Sequence, residues 1–208
     1  MDDPYEYHLD AVNDRGIGVR VAFRLTGDRY GHTFFVVRRE RVTPIVSSVE
    51  DADEKGWPFS PPVQEIREVA AADGSRTLLL IGAAAHGHWS AGVRSFKHHV
   101  AGHFLEFDVA VRLSQAPSHL GAAYELADDA RWVNAPAGQV YAAHDDVEVA
   151  IMASLDDTVA TSTRPSSLLQ SSPVPGEPKR RTFSPDYSQL SEFPTTFRWR
   201  YWVGLARA

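Results

Sequence analysis

Cysteine is absent from the 208-residue chain. That excludes disulfides, thiolate nucleophiles, zinc–thiolate sites and iron–sulfur clusters together. It leaves the redox compartment open, because a chain without thiols folds in either kind. Long apolar runs are absent too. The longest, Leu78–Ala85, spans eight residues and includes Gly82, well short of the ~20 that a membrane-crossing helix needs. Basic charge is in deficit: 21 Lys and Arg stand against 27 Asp and Glu, a net charge of −6 with His neutral. A field of that sign disfavours nucleic acid and anionic membrane as partners. The glycine loops that cradle phosphates, Gly-x-x-x-x-Gly-Lys-Ser/Thr and Gly-x-Gly-x-x-Gly, do not occur. Ser90 lies two residues from His88 but has no Gly-x-Ser-x-Gly elbow around it. The segment Met1-Asp2-Asp3-Pro4-Tyr5 is acidic and lacks the apolar stretch of a secretory signal, so the expected location is the cytoplasm.

What is present is a single domain's worth of ordinary globular sequence, 43% hydrophobic and 23% charged, which excludes global disorder. The clear periodicity is two. Val19, Val21, Phe23 and Leu25 alternate with Arg20, Ala22, Arg24 and Thr26. Leu105, Phe107, Val109, Val111 and Leu113 alternate with Glu106, Asp108, Ala110 and Arg112, and Phe197 to Leu205 repeat the pattern around Arg198 and Arg200. Such segments are half-buried strands. Weaker strand candidates are Tyr5–Val12, His32–Val37, Val42–Val49, Leu78–Ala84, Ala122–Leu126 and Val147–Ser154; Gln64–Ala72 fits either a short helix or a strand. The expected fold is an all-β, antiparallel β-sandwich or β-barrel of roughly eight to eleven strands with at most one short helix.

One hairpin can be registered. With Ser95 opposite Leu105, the apolar residues Trp89, Ala91 and Val93 fall opposite Val111, Val109 and Phe107, as a shared buried face requires. The same register sets Arg94 against Glu106 and His88 against Arg112, and leaves His98 and His99 in the connection. Asp14-Arg15-Gly16-Ile17-Gly18 reads as a turn before the Val19 strand. Trp57-Pro58-Phe59-Ser60-Pro61-Pro62 cannot donate a ladder and reads as an extended crossing segment. Residues 158–185 are rich in Ser, Thr and Pro and end in the basic run Lys179-Arg180-Arg181, and are expected to be a surface excursion or a disordered insertion. Asp51-Ala52-Asp53-Glu54 lacks the further ligands of a calcium loop and reads as a solvated loop.

Histidine is the unusual feature. Five of nine lie between 86 and 103. If His86 and His88 occupy one strand, they share a face and grip one divalent transition metal, zinc or iron foremost, with His103 or His144 completing the ligand set. The competing expectation is a polar strand face at a hydrated surface, and Arg112 opposite His88 argues for it. The order Gly82, His86, His88 is similar to the metal strand of the cupins, a family of double-stranded β-helix proteins, and that resemblance implies a barrel holding one metal. It stops there: the positions after His88 read Trp-Ser-Ala-Gly-Val-Arg without the family's Glu, and the second motif has no counterpart, so no membership is inferred.

Glu106 and Asp108 share a face and form a possible carboxylate pair, although Arg94 and Arg112 nearby make exposed ion pairs the simpler account. Trp202 lies beside Arg198 and Arg200, a combination suited to stacking against sugars, bases or a partner's side chains. The alternative is that the Pro-rich excursion covers this face. Three functions follow as expectations. The first is a non-catalytic binding protein for a small apolar or aromatic ligand or for a protein partner. The second is a metal-dependent β-barrel enzyme, and the third is a structural or assembly subunit acting through residues 158–185.

Overall fold

The computed structural model describes residues 6–70, 74–99, 102–133, 139–152 and 170–207. Its strands, numbered β1–β15 along the chain, form two antiparallel sheets. The seven-stranded sheet runs in the order β1 (Tyr7–Val12), β2 (Ile17–Thr26), β3 (Arg29–Arg38), β4 (Arg41–Ser48), β9 (Ala122–Leu126), β14 (Glu177–Ser184), β13 (Gln170–Val174). The eight-stranded sheet runs β10 (Arg131–Val133), β11 (Gln139–His144), β12 (Val147–Met152), β15 (Thr195–Arg207), β8 (Gly102–Leu113), β7 (Gly87–His98), β6 (Arg76–Ala84), β5 (Glu65–Ala70). They pack as a sandwich; neither closes into a barrel. The fifteen strands among the described residues exceed the eight to eleven expected, because β10, β11, β13 and β14 carry little alternation. No helix of the described residues is long and apolar enough to cross a membrane, and the stretch that fitted either helix or strand is β5.

Local sequence explains the elements. Gly16, at φ +69°, turns β1 into β2, a conformation that costs glycine little. The Trp57–Pro62 segment carries the chain from the seven-stranded sheet to the eight-stranded one, as its prolines require. Trp57 is buried on the way, and the Ser60 hydroxyl donates to the Ala123 carbonyl at 3.1 Å. The β7–β8 hairpin has the register that its alternation and charges dictate: Trp89 faces Val111, Val93 faces Phe107, Ser95 faces Leu105 and Arg94 faces Glu106. His98 extends β7 by one residue, so only His99 of that pair lies in the connection.

The core fills the space between the sheets. Phe23, Phe34 and Tyr124 come from one side, and Leu105, Phe107, Val203 and Tyr201 from the other. Phe107 and Tyr201 stack with centroids 4.7 Å apart, and Phe34 meets Phe107 edge-on at 5.6 Å. Each such ring, fully buried, contributes roughly 2–3 kcal/mol of transfer free energy. A polar chain threads this interior: His32 Nε2 lies 3.0 Å from the Tyr124 hydroxyl, which lies 3.1 Å from that of Tyr201. Burial holds the His32 ring neutral, with its pKa lowered to about 3.

The expected excursion over 158–185 needs correction for its second half. Residues 170–184 form the hairpin β13–β14, and β14 pairs with β9 through Arg181↔Tyr124 and Phe183↔Ala122. Phe183 is fully buried and meets Tyr124 edge-on. A single inward aromatic therefore anchors a segment whose composition reads as loop. Residues 158–169 lie outside the described residues.

Candidate functional site

The four histidines expected to hold a metal are not brought together. His86 sits in the β6–β7 turn, exposed, because β7 begins at Gly87. The shared-face premise of a His-x-His pair on one strand therefore fails. The His86 carbonyl accepts from the Ser114 amide and hydroxyl, both at 3.0 Å. His88 is on β7, outward and exposed, directly opposite Arg112. His103 pairs with Lys97 at the other end of that hairpin. The span from His103 to Arg112 is roughly 30 Å at about 3.3 Å per residue. His144 ends β11, four strand spacings from β7, roughly 19 Å at about 4.8 Å each, and its Nδ1 lies 3.4 Å from Asp145. Among the described residues no three His, Asp or Glu side chains are grouped to hold a metal ion. The same distances remove the metal-enzyme arrangement built on them.

Arg198, Arg200 and Trp202 do share a face, the outer face of the eight-stranded sheet. Each cross-strand rung places like parity together. Leu79, Gly92, Asp108 and Arg200 form one row across β6, β7, β8 and β15. Ile81, Ser90, Ala110 and Arg198 form the next. Thr77, Arg94, Glu106, Trp202 and Met152 form a third that reaches β12. The Asp108 carboxylate receives Arg198 through two hydrogen bonds of 2.7 and 2.5 Å and Arg200 through one of 2.9 Å. Burial pushes this carboxyl up, but the two guanidiniums more than offset it and hold it below the usual range. Glu106, nearly inaccessible at 7% of its side chain, accepts from Arg94 at 2.8 Å and from the Trp202 indole N–H at 3.2 Å. The expected carboxylate pair is thus fully engaged in ion pairs and hydrogen bonds.

Beyond Trp202 the face turns apolar. Trp202 and Tyr141, both partly buried, pack on a small outer cluster of buried Phe104, Ala150 and Met152, separate from the main core. Phe104 lies directly over Gly204, where an added Cβ would stand 2.2 Å from Phe104 Cδ1. On the opposite flank Val69, Leu79 and Ile81 are 42–49% exposed. Between the flanks the floor is low: Gly92, Ser90 and Ala110, with open space above Gly92. The result is a shallow trough with an aliphatic wall and an Arg–Trp wall. The hairpin 170–184 does not cover it, because it belongs to the other sheet. Sequence reasoning missed Phe104 and Met152, whose signal was present: each is a large apolar residue at the polar parity of an alternating strand.

A second place, on the seven-stranded sheet, was not legible at all. Glu50 follows β4 and folds its side chain over Gly31, whose added Cβ would lie 3.3 Å from Glu50 Cγ. Its Oε1 accepts from the Ser48 hydroxyl at 2.5 Å, while its Oε2 is buried with no partner among the described residues. Burial raises its pKa to about 7, against the Ser48 hydrogen bond and the charge of Arg29.

Comparison with protein-family models, with curated proteins and with solved structures gave no match. The chain is an antiparallel two-sheet β-sandwich, and what it does must be argued from the two places just described.

Proposed function

We propose that this chain is a non-catalytic binding module that docks a protein partner on the outer face of its eight-stranded sheet. The observation that carries this is the makeup of that face: partly exposed Trp202 and Tyr141, packed over buried Phe104 and Met152, beside Arg198 and Arg200, with exposed Leu79 and Ile81 across the floor. Trp, Tyr, Met and Arg are the residue types enriched at the centres of protein interfaces. A small apolar ligand is the weaker choice, because such ligands need a concave pocket that buries most of their surface, and this trough is shallow.

Charge narrows the partner. On the outer face of β5–β8 and β15 stand five arginines, Arg67, Arg94, Arg112, Arg198 and Arg200, against Glu65, Glu106 and Asp108. That face is net positive on a chain of net charge −6. An apolar surface rimmed by acidic groups complements it. Glu106 and Asp108, set among the arginines, oppose the continuous phosphate charge of a nucleic acid.

Site-specific photo-crosslinking tests the proposal. A crosslinker replacing Ala110, on the trough floor, should capture a discrete acidic protein. One replacing Val42, exposed on the other sheet's outer face, should not. The Trp202→Ala variant should lose the Ala110 capture while remaining folded. Capture of the same species from both positions, or capture that survives Trp202→Ala, contradicts the proposal; capture of a second copy of this chain favours the assembly-subunit alternative.

A further inference from the structure

The second place, around Glu50, forms an open pocket of ≈ 540 Å³ at the end of the β2–β3 hairpin, lined by Arg24, Arg29, Thr33, Ser47 and Ser48 among others. Its hydrogen-bond accounting is one-sided. The Ser48 oxygen already accepts from the His32 amide at 2.8 Å, and its proton goes to Glu50 Oε1. Asp28 is taken by Arg29, at 3.0 Å to Nε and 3.4 Å to Nη2. The Thr33 and Ser47 hydroxyls lie 2.8 Å apart, and one proton satisfies that contact, so the other hydroxyl proton is spare. Arg24 has no ion-pair partner among the described residues. Apart from Glu50 Oε2, which is shut away from solvent, the carboxylates lining the pocket are engaged, and donors are left over.

We propose that this pocket binds a small oxyanion, a carboxylate or a sulfate- or phosphate-like group, held by Arg24, Arg29 and the Thr33/Ser47 hydroxyl pair, and that binding takes up a proton at Glu50. The carboxyl lies against the pocket with its second oxygen shut away from water and unpartnered. It therefore acts on the ligand through charge and makes no direct contact: an ionised Glu50 opposes the anion, and a neutral one does not. The charged and titratable groups around it are Arg29, Arg24 and Asp28 from the β2–β3 end, Asp51 next in the chain, the ion-paired Glu125 and Arg180 on the strands beside Ser47, and the neutral His32 and Tyr124 behind. Asp51 disfavours the ionised form and Arg29 favours it, while burial, the largest influence, disfavours it. Binding and protonation are linked, so an anion favoured by the proton raises the proton's affinity in return.

Sulfate is the appropriate probe, because it does not itself titrate near neutrality. Titrated into the intact protein at constant ionic strength and followed by amide NMR shifts at Gly31 and Ser47, it should bind about tenfold more weakly at pH 8 than at pH 6, the fall in the neutral fraction of a group ionising near 7. Glu50→Gln should bind equally at both pH values, and Arg24→Ala should weaken binding about tenfold at pH 6. Shifts that do not saturate at pH 6, an unchanged affinity in Arg24→Ala, or a pH dependence that persists in Glu50→Gln would each overturn the proposal. Both variants alter groups at the pocket rim, and an unchanged amide spectrum elsewhere confirms that each is folded.

Discussion

The two outer faces of this sandwich leave different amounts of apolar surface open. On the seven-stranded sheet, Phe35 and Val37 point outward yet are only 8% and 5% exposed. Phe35 stands between Arg20 and Pro44 across the ladder, and Arg20 is clamped to Asp10 by two hydrogen bonds of 2.6 and 2.8 Å. A long side chain held in place covers apolar surface with its stem while its charge stays wet. Further along, Arg180 reaches Glu125 at 2.9 Å and Glu177 at 2.8 Å over the outward side of β9 and β14. On the eight-stranded sheet the arginines are likewise paired, to Asp108 and Glu106, but they stand beside the apolar residues and leave Leu79 and Ile81 open. One face is closed by its own side chains except at Val42. The other closes over Phe104 and Met152 but leaves Val69, Leu79 and Ile81 open together, which is why the proposed partner is assigned to it.

The largest effect expected is on the closed face. Phe35→Ala should destabilise the protein by about 3–5 kcal/mol in urea unfolding, as for other buried aromatics, and should leave partner binding intact. A loss below about 1 kcal/mol would mean that Phe35 is not part of the packed structure.

Next comes the pH dependence of stability. Glu50 ionises near 7 when folded and near 4.5 when unfolded. The folded state thus holds the proton more tightly, and stability falls as pH rises through that window, by up to about 3 kcal/mol. Glu50→Gln should recover most of this at pH 8 and change little at pH 4. His32 acts in the opposite direction: its folded pKa is depressed, so its contribution is present above about 6.5 and is lost as pH falls toward 3. Chemical denaturation of the wild type and Glu50→Gln at pH 5, 6.5 and 8 separates the two, and equal stability of both proteins at pH 8 would contradict the burial of Glu50.

On the open face, Trp202→Ala should cost the partner about 2 kcal/mol of affinity or more, the loss typical of a central aromatic anchor. Its effect on stability is expected to be smaller, because the outer cluster it leaves is separate from the main core. Calorimetry with the captured partner reads the first and a urea melt the second. The smallest effect is the sharpest contrast. Ile81→Ser and Val42→Ser, one exposed apolar position on each face, should each change stability by roughly 0.5 kcal/mol or less, yet only Ile81→Ser should weaken the complex.

Much of the frame was legible because alternation and charge agreed. In the β7–β8 hairpin the apolar parity sets the face and the Arg94–Glu106 pair sets the register, and both pointed to the same alignment. Trp202 and its arginines were legible for the same reason: parity alone puts them together. The edge hairpin β13–β14 was not, because Ser and Pro dominate it and only Phe183 of its residues is buried. The metal expectation failed at a strand boundary, where a start at Gly87 leaves His86 in a turn. Glu50 gave no signal, since the burial of a carboxylate after a strand end depends on Gly31 and Ser48 meeting it from elsewhere.

The outer face carries its own reporter. The chain has two methionines, Met1 at its start and Met152 within the aromatic cluster beside Trp202. Met152 is buried with Trp202 packed against it, so its methyl resonance, observed by carbon-13 NMR as the captured acidic partner is added, tests the proposed docking face through that contact. The account expects that resonance to shift or broaden in step with complex formation, and to stay put in Trp202→Ala. A complex that forms while Met152 remains unperturbed would place the partner elsewhere and contradict the assignment of this face.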